Sequence, residues 1–184
     1  MRNAASLILP RLYLSSYTTA TNAAELEAIG ITHIISVMDF TPKPCPPHIK
    51  RLHVKLEDTF SADILRHLEG TTEFIRYALQ ENESNKVLVH CIMGISRSTT
   101  VVCAYLIASN RMTAQDALEF VVKQRSIASP NSGFRAQLEI YATQCRSQDE
   151  TMGDISAAEA QLMKVVVDDM KSQDGVGTTT VKRG

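Results

Sequence analysis

The sequence predicts an α/β fold, a central and mostly parallel sheet flanked by helices. Three observations carry this. Short, almost continuous apolar runs such as "ITHIISVM" (31–38) and "KVLVH" (86–90) have the composition of strands buried on both faces. Longer segments with apolar residues three and four apart alternate with them. Stretches rich in proline, glycine and serine separate the two kinds.

Taken in order, "LILPRLYLSS" (7–16) reads as a short strand pair broken at Pro10. Thr19 to Ile29 has helical spacing through Ala20, Ala23, Ala24 and Ile29, and Gly30 stands where a helix ends. "ITHIISVM" is the next strand, and "FTPKPCPPHIK" (40–50), with four prolines, is an irregular loop. "RLHVKLED" (51–58) alternates Leu52, Val54 and Leu56 and predicts a strand ending at Glu57-Asp58. Asp63 is a suitable N-cap for a helix reaching Leu79, with Leu65, Leu68, Phe74, Ile75 and Leu79 on its apolar side. After the strand "KVLVH", Thr99 to Ser109 is apolar almost all round and predicts a central buried helix. Thr113 caps "AQDALEFVVKQ" with Asp116 at the third position, an acidic variant of the capping box. "SIASPNSG" (126–133) is a loop and "FRAQLEIYATQC" (134–145) an amphipathic helix. A change to linker-like composition at Ser147 divides the chain into a domain over 1–147 and a tail over 148–184, the tail holding one potential helix over 155–171.

Bulk composition excludes several function classes. The chain has 184 residues, is 44% hydrophobic and carries a net charge of -1. No global field favours nucleic acid or an anionic membrane surface, so an anionic substrate needs a local site. The four cysteines, Cys45, Cys91, Cys103 and Cys145, form no CxxC pair, and no ligand cluster is visible; neither a metal nor another cofactor is expected. No apolar run is long enough for stable membrane insertion. These features predict a reduced compartment, cytoplasmic or also nuclear.

The chemistry concentrates in "HCIMGISRS" (90–98). A loop joining a buried strand to a helix N-terminus turns backbone N–H groups inward, at the positive end of the helix dipole. The N–H groups from Ile92, Met93, Gly94, Ile95, Ser96 and Arg97 can ring one phosphate, and Gly94 lets the backbone bend and approach. Arg97 adds a planar fork matched to two phosphoryl oxygens. At the floor of such a cup Cys91 is expected as a thiolate, and a thiolate facing phosphate is a nucleophile. Ser98 can donate to that sulfur and so help it leave in a second step. His90 is expected to hold the loop through its ring nitrogens. A phosphoester also needs a proton donor for its leaving oxygen. Asp58, at a predicted strand end about thirty residues upstream, is the best candidate; Glu57 and Asp39 are weaker ones. Cys103 is expected in the core, Cys145 inert, Cys45 at the surface, and Tyr13 and Tyr17 in packing.

The Cys-x5-Arg signature resembles that of the protein tyrosine phosphatase superfamily, and "HCIMGISRS" resembles its dual-specificity branch. The likeness extends from the opening strands through "GITHIISVM" and "LEDTFSADILRHL" to "RSIASPNSGFRAQL", roughly residues 6 to 146, and is greatest to small, atypical members. It implies the protein tyrosine phosphatase-like fold, with Cys91, Arg97, Asp58 and Ser98 as the catalytic set. It also implies supporting roles for His90, Asp63, Arg125 and Asn131. Asp63 departs from the asparagine usual there and is read as a helix cap. The implied activity is hydrolysis of phosphotyrosine and phosphoserine or phosphothreonine in a phosphoprotein substrate, through a phosphocysteine intermediate. Two alternatives stand beside it. One is a phosphoinositide, RNA 5′-triphosphate or other non-protein phosphatase, disfavoured because no lysine lies among the variable loop positions. The other is a non-catalytic phosphoresidue-binding module, which would not need the nucleophile.

Overall fold

The computed structural model describes residues 4–148 and 151. The chain forms two compact units, Met1–Cys145 and Arg146–Gly184, and the sheet belongs to the first. The expected tail helix over 155–171 lies outside the described residues.

Strands β1 (Ser6–Leu9) and β2 (Leu12–Ser15) pair antiparallel across the turn at Pro10-Arg11, as the broken run predicts. With β3 (His33–Val37), β4 (Lys50–Val54) and β5 (Val87–His90) they form one five-stranded sheet of order β1-β2-β5-β3-β4. Every pairing except β1–β2 is parallel. Crossovers put helices on both faces, which is why β3 and β5 are buried at every position. Side chains of β3 and β5 alternate between two cores. Ile34 and Leu88 join Ala20, Leu26, Ile31 and Ile49 in a small cluster, while Ile35, Val37, Val87 and Val89 enter the main core.

Two expectations about elements are corrected. The helix predicted over Thr19 to Ile29 is two, α1 (Tyr17–Ala20) and α2 (Ala23–Ile29). Asn22 breaks it, because its side chain accepts the Glu25 N–H and caps α2 afresh; alanine spacing carries no signal of that competition. Gly30 closes α2 in the left-handed region at φ 80°. The strand predicted over 51–58 ends at Val54. The alternation beyond it is real burial, of Leu56, on a loop outside the strand whose Leu56 N–H still donates to Met38 O at 3.3 Å.

Helix α3 (Leu65–Glu81) carries its buried stripe on Leu68, Thr71, Thr72, Ile75 and Ala78, with Leu65, Phe74 and Leu79 at its edges. The N-cap position is Ile64, one residue later than expected; Asp63 still caps the first turn by accepting the Arg66 N–H at 3.3 Å, and the Gln137 side chain accepts from Ile64 and Leu65. Helix α4 (Arg97–Asn110) begins two residues earlier than predicted and is buried from Arg97 to Ala104, a central helix as its composition requires. Thr113 and Asp116 cap α5 (Ala114–Gln124). A further helix, α6, starts at residue 132 and carries the chain to the end of this unit. Among the described residues no helix is long and apolar enough to cross a membrane.

Candidate active site

The first residue after β5 is Cys91, 1% exposed, at the carboxyl end of the parallel strands where their loops converge. The chain from Cys91 to Ser96 then turns every carbonyl away from that sulfur and into a protein partner. The His90 ring takes Cys91 O at 3.1 Å, the Tyr17 N–H takes Ile92 O at 3.0 Å, and the Ser129 N–H takes Ile95 O at 2.8 Å. Arg125 holds the middle of the loop, donating Nε to Gly94 O at 2.8 Å and Nη2 to Met93 O at 3.3 Å. Thr100 takes Ser96 O through both its N–H and its hydroxyl, at 3.0 and 2.9 Å. Peptide groups are planar, so carbonyls facing out leave N–H groups facing in. The Gly94 N–H points to Cys91 Sγ at 3.2 Å, and the Ile95 and Ser98 N–H groups also serve the sulfur. The cup is a nest of donors at the N-terminus of α4.

Gly94 sits at φ 66°, and a Cβ there would overlap the Ser15 carbonyl and crowd Arg125 Nη2. The loop can pass between β2 and Arg125 only without a side chain.

Burial works to push the Cys91 thiol up. Hydrogen bonds from the Ser98 hydroxyl, at 3.2 Å, and from the Ser98 and Ile95 N–H groups oppose it, together with the Arg97 charge. The outcome is a thiol held below its ordinary value, the condition for a nucleophilic sulfur. Cys103, buried in α4 without such donors, is pushed up to about 12 and is inert. His90 is lowered to about 4, chiefly by burial. It is therefore neutral: Nδ1–H donates to Cys91 O, and Nε2 accepts the Ser36 hydroxyl at 2.7 Å.

Arg97 is buried, with Nη1 donating to Leu56 O at 3.1 Å. Asp58 Oδ2 lies 3.5 Å from its Nε and Asp39 Oδ1 3.6 Å from Nη1, ion-pair distances longer than a sound hydrogen bond. Arg97 Nε is one of four buried side-chain polar atoms without a hydrogen-bond partner among the described residues. Asp58 itself, 32% exposed, is gripped through Oδ1 by Ser96 Oγ at 2.7 Å and Asn131 Nδ2 at 2.9 Å.

The structure thus brings together Cys91, Arg97, Asp58, Ser98, the loop residues Ile92 to Ser96, and His90, Arg125 and Asn131. Asp63 stands apart: it is exposed, and its carboxylate accepts from the first turn of α3. Sequence reasoning missed the Ser96 hydroxyl, the approach of Asp39 to Arg97, and Gly133, where a Cβ would overlap the Phe60 carbonyl. None of the three had a local signal: Gly133 ends the stretch read as a loop, where a glycine is ordinary, and only the structure puts it one residue into α6. Tyr17 packs as expected, its ring 5.6 Å from Phe40 and 5.9 Å from His90. Cys45 is half-buried against the smaller cluster rather than at the surface, because Sγ turns inward toward Ile49 O.

Comparison with known proteins agrees with this geometry. A family model described as the dual specificity phosphatase catalytic domain matches residues 12–144. The chain is 40% identical over 139 residues to the tyrosine-protein phosphatase yvh1 of Schizosaccharomyces pombe, covering 76% of this chain but 42% of that protein. It therefore spans less than half of that relative's length. It is 39% identical over 141 residues to the mouse dual specificity protein phosphatase 22, covering 77% of this chain and 75% of that one. The crystal structure of DUSP15 superposes with a TM-score of 0.73 at 35% identity, over 81% of this chain and 96% of that chain. A matched catalytic domain, a shared fold and a cysteine in a ring of inward N–H groups all converge: this chain belongs to the dual specificity phosphatase family.

Proposed function

We propose that this chain is a cysteine-dependent protein phosphatase that hydrolyses phosphotyrosine and phosphoserine or phosphothreonine. The observation that carries the reading is Arg97 Nε, a buried guanidinium donor left without a hydrogen bond beside a lowered thiol. A phosphoryl group seated over Cys91 supplies the missing acceptor, held by Arg97 and the inward N–H groups. The Cys91 thiolate attacks phosphorus, an S–P bond forms, and the P–O bond to the leaving group breaks as Asp58 gives that oxygen a proton. Water then attacks the phosphocysteine, Asp58 takes its proton, and the thiolate departs toward the Ser98 hydroxyl.

The chemistry requires a reduced thiol, which suits a cytoplasmic setting. The exposed loop side chains are Ile92 and Met93, at 37% and 61%, and their apolar character supports a monophosphate over a phosphoinositide. The domain needed for this activity is 1–147, and residues 148–184 are dispensable for the chemical step. Hydrolysis assays on phosphotyrosine peptide, phosphothreonine peptide and a phosphoinositide, without added metal, test the reading. Turnover of both peptides in preference to the lipid is expected; turnover of the lipid alone, or of none, overturns it.

A further inference from the structure

We infer that Asn131, together with the Ser96 hydroxyl, assigns the transferable proton of Asp58 to Oδ2 and aims that oxygen at the leaving group. The inference rests on the reading of Asp58 as the proton donor.

Acceptor capacity distinguishes the two oxygens of Asp58. A carboxyl oxygen offers about two lone-pair positions. Oδ1 of Asp58 already accepts Ser96 Oγ at 2.7 Å and Asn131 Nδ2 at 2.9 Å. A proton on Oδ1 would have to displace one of these donors. Oδ2 has no such donors; it faces Arg97 Nε at 3.5 Å, outside good hydrogen-bond range. When a phosphoryl group engages Arg97, Oδ2 is the oxygen that can carry a proton and lies on the substrate side. In the first step the Oδ2–H bond breaks, its proton goes to the leaving oxygen, and that oxygen keeps the electron pair of the broken P–O bond. In the second step Oδ2 recovers a proton from the attacking water.

Asn131 is built into its place from three sides. Its N–H donates to Ser96 Oγ at 3.2 Å, which orients the serine hydrogen toward Asp58. Its Nδ2 also donates to Thr59 O at 3.3 Å, holding the backbone next to the acid. Its Oδ1 accepts the Phe134 N–H at 2.9 Å and so caps α6. Gly133 lets that helix start close against Phe60, two residues beyond the acid. Asn131 is therefore a positioning residue, acting through Asp58. The charged groups around the acid are Arg97 from α4, Asp39 paired to the same guanidinium, Glu57 beside it in the chain, the Cys91 thiolate at the cup floor, and Arg135 of α6, which donates to Pro130 O and Ser129 Oγ.

The cap creates a confound, which the choice of variant removes. Asn131→Ser keeps an N-cap oxygen but cannot reach Asp58. It is compared with Asp58→Asn and with the double variant, on a phosphotyrosine peptide and on an aryl phosphate with a strongly activated leaving group. Asn131→Ser is expected to slow the peptide about tenfold, the size of one hydrogen bond to a charged group. The activated ester should slow less than about twofold, because its leaving oxygen hardly needs the proton. In the Asp58→Asn background Asn131→Ser should cost almost nothing more. Equal losses on both substrates, or full additivity in the double variant, overturn the inference while leaving Asp58 as the acid. If Asp58→Asn itself slows both substrates equally, the acid reading fails and this assignment falls with it.

Discussion

Replacing Arg125 by lysine keeps a cation and removes a fork, and the consequence should be read at a sulfur that Arg125 does not touch. The guanidinium donates to Gly94 O at 2.8 Å, to Met93 O at 3.3 Å and to Ser6 Oγ at 3.3 Å. An ammonium group can serve one loop carbonyl well and not both. The other is left buried and unpaired, a loss of about 1–3 kcal/mol in stability. Each of these carbonyls shares a rigid peptide plane with a donor of the cup: Met93 O with Gly94 N–H, and Gly94 O with Ile95 N–H. If one plane rocks, one hydrogen bond to the thiolate is weakened. Hydrogen bonds to a charged group are worth about 1.5–3 kcal/mol, or roughly tenfold to a hundredfold in rate if felt fully in the transition state. Arg125→Lys should therefore lower kcat/KM for a small aryl phosphate about tenfold or more. The pH midpoint of Cys91 alkylation by iodoacetamide should rise. Arg125→Gln should raise it further, because attraction between the Arg125 charge and the Cys91 thiolate is lost as well. A variant destabilised in urea by about 2 kcal/mol, yet unchanged in both kcat/KM and alkylation midpoint, would refute this reasoning and reduce Arg125 to a core brace.

Other outcomes follow from the same geometry. Cys91→Ser should abolish turnover yet retain phosphopeptide binding, because the N–H ring and Arg97 persist; substantial residual turnover counts against the nucleophile. Gly94→Ala should lose activity and stability together, since it adds left-handed strain of about 1–2 kcal/mol to an overlap with the Ser15 carbonyl; a folded, active variant contradicts it. For His90 the folded value of about 4 lies below the unfolded value near 6.5, so the unfolded chain binds the proton first. Stability is full above pH 6.5 and is lost as pH falls toward 4, by up to about 3 kcal/mol. Urea midpoints in that window should flatten in His90→Asn, and parallel curves for the two proteins would reject the assignment. Truncation after Ser147 should leave kcat/KM for a small aryl phosphate within a few-fold, and a loss above about tenfold with the fold intact would place part of the tail in the site.

Elements whose signals are local were legible in the sequence alone. Apolar runs at 31–38 and 86–90 mark strands because burial on both faces leaves no polar alternation to read. Thr113, Asp63 and Gly30 announce helix ends because caps act within a few residues of themselves. The Cys-x5-Arg spacing places a sulfur, a ring of N–H groups and a guanidinium on one loop, so this half of the site was legible without any fold. The other half joins residues far apart in the chain. Asp58 meets Ser96 and Asn131 across 38 and 73 residues, and Arg125 meets Gly94 across 31. No periodicity or cap encodes such meetings. Sheet order brings β5 between β2 and β3, and the α5–α6 loop returns over the same strand ends. Only that packing decided which carbonyls face out, which oxygen of Asp58 is occupied, and that Asp63, so near in sequence, caps a helix instead.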